Sequence, residues 1–230
     1  MIPGNNKLTR TSLRTPKAAA FAGIIFSVLL VVIVSLLRLF TATDPLEPGA
    51  WLATNSRTVA LAMNLIPFDG VAFLWFIGVL RDRLGHREDR FFSTVFFGSG
   101  LLFVAMLFTA AAIIAAIILV FGAEPNLAIN SATYRVARNI SYVLTNVYAI
   151  KMAAVFMFST STVTLYTGLA PRGIAFLGFA LASIIMLAGN YITWSIFILP
   201  TWVFLVSTHI LIDNLGWRPD EAAPWEIREI

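Results

Sequence analysis

The sequence predicts an all-α protein, a polytopic bundle of six transmembrane helices with both termini in the cytoplasm. Six long apolar runs fill most of its 230 residues. Hydrophobic residues make up 59% of the chain and charged residues only 12%, about half the roughly 25% that is typical of a soluble domain. The stretches between the runs are short, so they leave no room for a separate soluble domain.

Each apolar run is long enough, or nearly long enough, to cross a hydrocarbon core about 30 Å thick. The first run has about 20 residues, more than the roughly 7–15 of a cleaved signal peptide, so we expect an uncleaved anchor. The third run is long and the fifth is short, which predicts tilt or extension beyond the bilayer. The predicted spans are 18–40, 58–80, 92–121, 138–166, 173–189 and 192–212.

Three segments follow from these spans. Residues 1–17 form a basic cytoplasmic segment, residues 18–215 form the transmembrane domain, and residues 216–230 form a cytoplasmic tail. The tail contains Trp217, Trp225, Ile227 and Ile230 among acidic residues. This is more apolar surface than a solvated tail needs, so we expect the tail to dock on a protein surface.

The lysine and arginine residues predict the orientation of the bundle. Eleven fall on one side, four on the other, and Lys151 lies inside the membrane, which accounts for all sixteen. Cytoplasmic loops carry the excess of basic residues in membrane proteins, so the side with eleven faces the cytoplasm. The eleven are Lys7, Arg10, Arg14, Lys17, Arg81, Arg83, Arg87, Arg90, Arg172, Arg218 and Arg228, and the four are Arg38, Arg57, Arg135 and Arg138.

Two loops on the side with four basic residues contain helix signals. The first has two prolines and predicts a helix start after Pro48. The second, around Glu124, Pro125 and Asn126, is predicted to lead into a helical extension over residues 131–142. The third span is therefore expected to be followed by helix that begins outside the bilayer.

Composition excludes several kinds of site. Without cysteine the chain cannot form a disulfide, a thiolate nucleophile or an iron–sulfur cluster. Two histidines cannot supply the four axial ligands of a bis-histidine dihaem core. The sequence contains no GxSxG, HExxH, P-loop or GxGxxG motif, and its net charge of +4 is explained by topology better than by nucleic acid. We therefore expect a non-enzymatic protein without cofactor or metal that does not bind nucleic acid.

Asp69 lies near the middle of the second predicted span, in the segment NLIPFDG. A charge at bilayer depth costs roughly 2.5–3.5 kcal/mol on insertion scales, so it needs a partner, a watery cavity or a function. Pro67 removes a backbone hydrogen bond to Met63, which predicts a kink beside Asp69 and polar Asn64. Such a kink exposes backbone and carboxylate in transporters, but it also occurs in helices that are merely bent and packed.

Lys151 lies near the middle of the fourth predicted span. Tyr148, Ser159 and Thr162 share its helix face at 100° per residue, which predicts a thin polar stripe. Asp69 and Lys151 are the only acid and base at this depth, so we predict an ion pair between the second and fourth helices. The pair would either fix the register of the helices or couple to a proton or an ion.

Three further patterns concern the surface and the packing. Arg135 and Arg138 form a basic aromatic face with neighbouring tyrosines, which predicts binding to lipid phosphate, with an anionic ligand or partner as the alternative. The run STSTVT (159–164) is expected to bond back to its own helix carbonyls. Small residues four apart, such as Ala19 with Gly23 and Gly178 with Ala182, allow close helix approach.

The stretch TGLAPRGIAFLGF (167–179) and the later segment Leu199–Pro200–Thr201–Trp202 resemble the C-terminal half of uncharacterised bacterial six-helix integral membrane proteins. In that family a short Pro-Arg turn links two spans and a proline–tryptophan pair opens the last one. The resemblance covers about the last 70 residues. It implies a multi-pass protein of the bacterial inner (plasma) membrane and carries no activity with it.

These observations favour an accessory subunit of a membrane complex or a lipid-interacting component. Its expected partners are the lipid bilayer and other membrane subunits. The alternative is a small transporter or channel-like protein that uses Asp69 and Lys151.

Overall fold

The computed structural model describes residues 15–41, 49–84, 90–129, 131–168, 170–192 and 194–216. All regular structure in these residues is helical, and they contain no strand. The tail from residue 217, for which docking is predicted, lies outside the described residues, as do the segment 85–89 and the basic segment up to residue 14.

The helices follow the predicted order of the apolar runs. The helices are α1 (Thr15–Phe40), α2 (Ala50–Thr54), α3 (Ser56–Leu84), α4 (Arg90–Phe121), α5 (Pro125–Ile129), α6 (Ala132–Val143), α7 (Ile150–Thr167), α8 (Arg172–Ala188) and α9 (Ile198–Gly216). A π-helical turn, Leu144–Ala149, joins α6 to α7, and a 3₁₀ turn, Ser195–Phe197, precedes α9. The helix start after Pro48 and the extension over residues 131–142 are thus confirmed as α2 and α6.

Within the described residues, five segments are long and apolar enough to cross a membrane: Ala20–Phe40, Ser56–Arg81, Thr94–Phe121, Ala132–Tyr166 and Ser195–Asp213. The fifth predicted span is the apolar helix α8, which has 17 residues and is about 25 Å long. It is therefore slightly shorter than a hydrocarbon core of about 30 Å. The regular structure of the described residues is entirely helical, with helices as apolar as those of a membrane protein. The length of α8 agrees with the short fifth run of the sequence.

The main helices are joined by a series of pairwise contacts. Helix α1 lies between α3 and α9, α3 packs on α4, α4 on α7, and α7 on α8. Two glycines make close approaches possible. A Cβ atom built at Gly23 would overlap the Ser207 hydroxyl, and one built at Gly178 would lie 2.8 Å from the indole nitrogen of Trp202. The expected role of small residues in helix packing is confirmed at these two positions.

Five phenylalanines from four helices form the centre of the core, which we call the aromatic layer. The ring centroid of Phe73 lies 4.4 Å from that of Phe26, 5.4 Å from Phe103 and 5.0 Å from Phe156. Phe96 stacks on Phe156 at 5.1 Å. All five are buried. The contact between the second and fourth predicted spans therefore runs through Phe73 and Phe156.

The two ends of the bundle differ. We call the end where α1 finishes and α3 begins the Arg38 end, and the end where α3 finishes and α4 begins the Arg81 end. A second cluster of buried side chains lies at the Arg38 end, where α2, α5 and α6 cover the last turns of α4. Within it the indole nitrogen of Trp51 donates a hydrogen bond to the Tyr134 hydroxyl at 3.1 Å. We call this the cap cluster; its buried members are Trp51, Leu52, Val59, Ile117, Ala128 and Tyr134.

Helix α3 continues through Pro67 without a helical break, so its backbone is not unwound next to Asp69. Pro67 lies on an exposed face of the helix, and the predicted kink stays a prediction. The irregular long segment is Ala132–Tyr166, which contains α6 and most of α7. The π turn interrupts it at Leu144–Ala149, a feature that often accompanies functional sites.

Candidate functional site

A cavity of about 230 Å³ lies at the Arg38 end of the bundle. Its walls come from α1, α3, α4, α6, the π turn and the turn that precedes α9. Pockets for drug-sized molecules are usually about 300–1,000 Å³. This cavity is smaller, so it has room for a small molecule or for part of a larger one.

One half of the cavity is polar. Its polar lining contains two arginines and, among the described residues, no carboxylate. The side chains come from the end of α1, from α6 and the π turn, and from the turn after α8. They are Arg38, Thr41, Arg138, Ser141, Tyr142, Thr145, Asn146 and Asn190.

Arg138 is fixed to the cap cluster. Its guanidinium donates from Nη1 to the Tyr134 hydroxyl at 3.3 Å, and the side chain is only 7% exposed. Arg135, three residues earlier on the same helix, is exposed. The structure therefore separates the two arginines that the sequence grouped into one basic face: Arg138 lines the cavity and Arg135 does not.

Arg38 lies in the last turn of α1, on another wall of the cavity. Its Cζ atom is 5.4 Å from the ring centroid of Trp194, which packs on Phe197 at 5.6 Å. Cation–π contacts of this kind contribute about 0.5–1 kcal/mol at exposed sites, and here the contact holds the guanidinium against the turn before α9. Arg38 was not among the predicted site residues, although a basic residue within an apolar run is a signal that could have identified it.

The π turn presents the remaining polar wall. Ser141 donates from Oγ to the Ala110 carbonyl of α4 at 3.1 Å, which anchors the end of α6. Thr145 and Asn146 then bond back to carbonyls one turn earlier, at 3.0 Å and 3.1 Å. Because a π turn contains one more residue than an α-helical turn, it brings side chains of α6 and of the π turn to the same cavity wall.

The other half of the cavity is apolar. Its deepest described residues along α1, α3 and α4 are Leu30, Ile66 and Leu107, and all three are buried. Each of them lies between the polar half of the cavity and the aromatic layer in its own helix. We call these three residues the cavity floor.

Asp69 lies one helical turn beyond Ile66 and faces the interior of the bundle. It is 1% exposed, and neither carboxyl oxygen has a hydrogen-bond partner among the described residues. Asn64 and Pro67 are exposed on other faces of α3, so the three polar or irregular positions of NLIPFDG do not form one site.

Lys151 does not pair with Asp69. Its ammonium donates to the Met186 carbonyl at 3.1 Å. Met186 lies in the last turn of α8, where carbonyls lack partners within the helix and a positive charge interacts favourably with the helix dipole. The predicted ion pair is wrong because Lys151 turns toward α8 and caps its C-terminal end.

The predicted polar stripe is also divided. Tyr148 belongs to the π turn and is 52% exposed, so the regular spacing of 100° per residue does not apply to it. Thr162 and Ser159 bond to carbonyls of their own helix at 2.9 Å and 3.0 Å. Thr160 and Thr164 do the same, which confirms the expectation for this run except at Ser161, whose buried hydroxyl has no such partner.

No family model matches the sequence, and no curated protein and no solved structure shows a significant similarity to it.

Proposed function

We propose that the protein binds an anionic amphiphile in the cavity at the Arg38 end, with the acidic group near Arg38 and Arg138 and the chain against the cavity floor. It acts in the membrane as a lipid-interacting component and needs no catalytic group for this role. The observation that carries the proposal is that two arginines and an apolar floor line one cavity.

Charge supports an anionic ligand. The described lining has two guanidinium groups and no carboxylate, so its net charge is positive. Arginine presents N–H donors in a planar fork that matches the geometry of phosphate and carboxylate. Tyr134 and Trp194 hold the two guanidinium groups in place, which lowers the entropy lost on binding.

The distribution of polarity supports an amphiphile. The polar half of the cavity lies where α1 ends and where the exposed aromatic residues Tyr191 and Trp194 lie. Exposed tyrosine and tryptophan are enriched at the headgroup level of a bilayer. The cavity floor lies deeper, toward the aromatic layer, at a level that suits an alkyl chain.

The size of the cavity supports a ligand with one chain. A volume of about 230 Å³ admits an acidic headgroup and the beginning of a chain, and the rest of the chain would lie among membrane lipids. The predicted orientation would place this site on the outer side of an inner membrane. A role as an accessory subunit remains compatible with lipid binding; its local support in the sequence was the tail beyond Gly216.

Binding of a radiolabelled lysophosphatidic acid to the purified protein tests this proposal. The matched probes are lysophosphatidylcholine, which has a zwitterionic headgroup, and glycerol phosphate, which has no chain. We expect lysophosphatidic acid to bind most tightly and glycerol phosphate to bind weakly. A charge-assisted hydrogen bond contributes about 1.5–3 kcal/mol, so Arg38→Gln and Arg138→Gln should each weaken binding about 10- to 150-fold.

Arg135→Gln is the matched control because it removes the same charge from the same helix at an exposed position. It should leave the affinity for lysophosphatidic acid within about twofold, which corresponds to roughly 0.4 kcal/mol. Equal binding of the two lysolipids, or equal effects of Arg135→Gln and Arg138→Gln, would contradict the proposal.

A further inference from the structure

The depth of Asp69 in the bundle follows from the order of residues along three helices. On α3 the order from the Arg38 end is Ile66, Asp69 and Phe73. Leu30 and Phe26 occupy the corresponding levels on α1, and Leu107 and Phe103 on α4. Asp69 therefore lies between the cavity floor and the aromatic layer, about 4.5 Å along the helix axis from Ile66.

No basic side chain in the described part of the chain neutralises Asp69. Arg57 and Arg81 lie twelve residues away on either side, which is about 18 Å along α3. Lys151 on α7 is hydrogen-bonded to α8. Helix α1 packs on α3, and α9 packs on α1. The other described charged or titratable side chains on these two helices are Arg38, His209 and Asp213. The described side chains of α2 and of residues 94–121 of α4 include no charged or titratable group.

A buried carboxylate without a counter-charge is strongly disfavoured, whereas the carboxylic acid carries no charge to be desolvated. The simplest ligand that satisfies Asp69 is therefore a proton. A metal ion would need further oxygen or nitrogen ligands, and the described residues contain no cluster of acidic or histidine side chains that could hold one.

The surroundings also define the route of the proton. On the Arg38 side, one helical turn separates Asp69 from the cavity. On the Arg81 side, the aromatic layer joins α1, α3, α4 and α7 through buried rings whose neighbouring centroids are 4.4–5.4 Å apart. We propose that Asp69 is a proton-binding site that exchanges its proton through the cavity with the Arg38 end and not with the Arg81 end.

This inference concerns a residue that the amphiphile site does not use, and it requires no bound amphiphile, although its route runs through the same cavity. It assigns Asp69 a function without Lys151. It also explains why an acid is tolerated at this depth, because the protonated form resides in the apolar interior and the cavity supplies the path by which the proton arrives and leaves.

Labelling with N,N′-dicyclohexylcarbodiimide tests the proposal on the intact chain in liposomes of a single orientation. A protonated carboxyl group adds across a C=N bond of the reagent: its proton goes to nitrogen and its oxygen to the central carbon. Migration of the acyl group to nitrogen gives a stable adduct that mass spectrometry locates at Asp69. Adduct formation therefore follows the protonated fraction of Asp69.

The pH is set separately on the two sides of the membrane. We expect the adduct at Asp69 to decrease as the pH on the Arg38 side is raised, approaching a tenfold loss for each pH unit, and to be unaffected by the pH on the Arg81 side. Labelling that follows the Arg81 side, or that responds to neither side, would overturn the proposal.

A pair of cavity variants provides a second measurement. Ala111 lines the cavity, and its neighbour Ala112 is exposed on the outside of α4. Ala111→Phe should reduce the response of Asp69 labelling to the pH on the Arg38 side by several-fold, and Ala112→Phe should not change it. Equal responses in two folded variants would contradict the route through the cavity. If Ala111→Phe does not fold, the measurement on the unaltered chain decides.

Discussion

The contact between Lys151 and α8 predicts that Lys151 and Asp69 are energetically independent. The perturbation is a double-mutant cycle made of Lys151→Met, Asp69→Asn and the double variant. Lys151→Met keeps a long flexible side chain and removes the ammonium, whose hydrogen bond to the Met186 carbonyl is 3.1 Å long. Asp69→Asn keeps the shape of the side chain and removes its ability to ionise.

The structure sets the magnitude of each effect. A hydrogen bond from a charged donor contributes about 1.5–3 kcal/mol, and a cation near a helix C-terminus adds about 0.3–1 kcal/mol. Burial of the methionine side chain offsets part of this loss, so Lys151→Met should lower the free energy of unfolding by about 2 kcal/mol. Asp69 makes no hydrogen bond with the described residues, so Asp69→Asn should change stability by less than about 1 kcal/mol.

Reversible unfolding in mixed micelles of a mild detergent and dodecyl sulfate measures these free energies. The effects of the two substitutions should add within about 0.3–0.5 kcal/mol, as expected for residues without shared partners. Lys151→Arg is the control, because it preserves the donor and should recover most of the stability. If Asp69→Asn alone lost about 3 kcal/mol or more and Lys151→Met restored it, the two residues would be an ion pair and our reasoning would be refuted.

Two further predictions concern packing and orientation. Gly178→Ala should destabilise the protein by about 1–3 kcal/mol, because its Cβ would overlap the Ser161 hydroxyl. A Cβ at Gly173 on the same helix meets nothing within 4 Å, so Gly173→Ala should be neutral or stabilising. Thermal unfolding of the two variants distinguishes them, and equal destabilisation would contradict the packing. The chain has no cysteine of its own, so single cysteines can report the orientation. A cysteine at Asn126 should react with an impermeant thiol reagent in intact cells, and one at Ala222 should not. The reverse pattern would show that the predicted orientation is wrong.

The sequence was sufficient to predict most of the helical architecture. Long apolar runs fixed α1, α3, α4 and α9, because the membrane requires about 20 apolar residues in a helix that spans it. The extension over residues 131–142 was predictable as well, since Ser131 gives a helix start and its hydroxyl accepts a hydrogen bond from the Tyr134 backbone N–H at 3.2 Å.

The direction of individual side chains could not be predicted in the same way. The predicted polar stripe requires a regular helix from Tyr148 to Lys151, but the π turn ends at Ala149 and changes the phase between the two residues. The predicted partner of Lys151 was a charged side chain, whereas the observed partner is a backbone carbonyl. Such a partner depends on where α8 ends in space, which a single sequence does not specify.

The cavity could not be predicted from the sequence either. Arg38, Arg138 and Asn190 come from parts of the chain that are about 100 and 50 residues apart, and only the packing of α1, α6 and the turn after α8 brings them to one cavity. Arg138 was identified as an anion or lipid candidate, but its separation from Arg135 depends on the cap cluster, in which the Tyr134 hydroxyl accepts its hydrogen bond.

The aromatic layer has an electrical consequence for the bundle. A membrane potential falls mainly across the part of its path with the lowest dielectric constant. On the proton route proposed above, that part would be the layer of five buried rings and the apolar helix beyond it, because the polar groups in the cavity can hold water near the potential of the Arg38 side. Moving one charge across the whole membrane corresponds to about 2.3 kcal/mol per 100 mV. A proton that reaches Asp69 from the Arg38 end crosses only a small part of that drop, so its occupancy responds to the acidity of one compartment and only weakly to voltage.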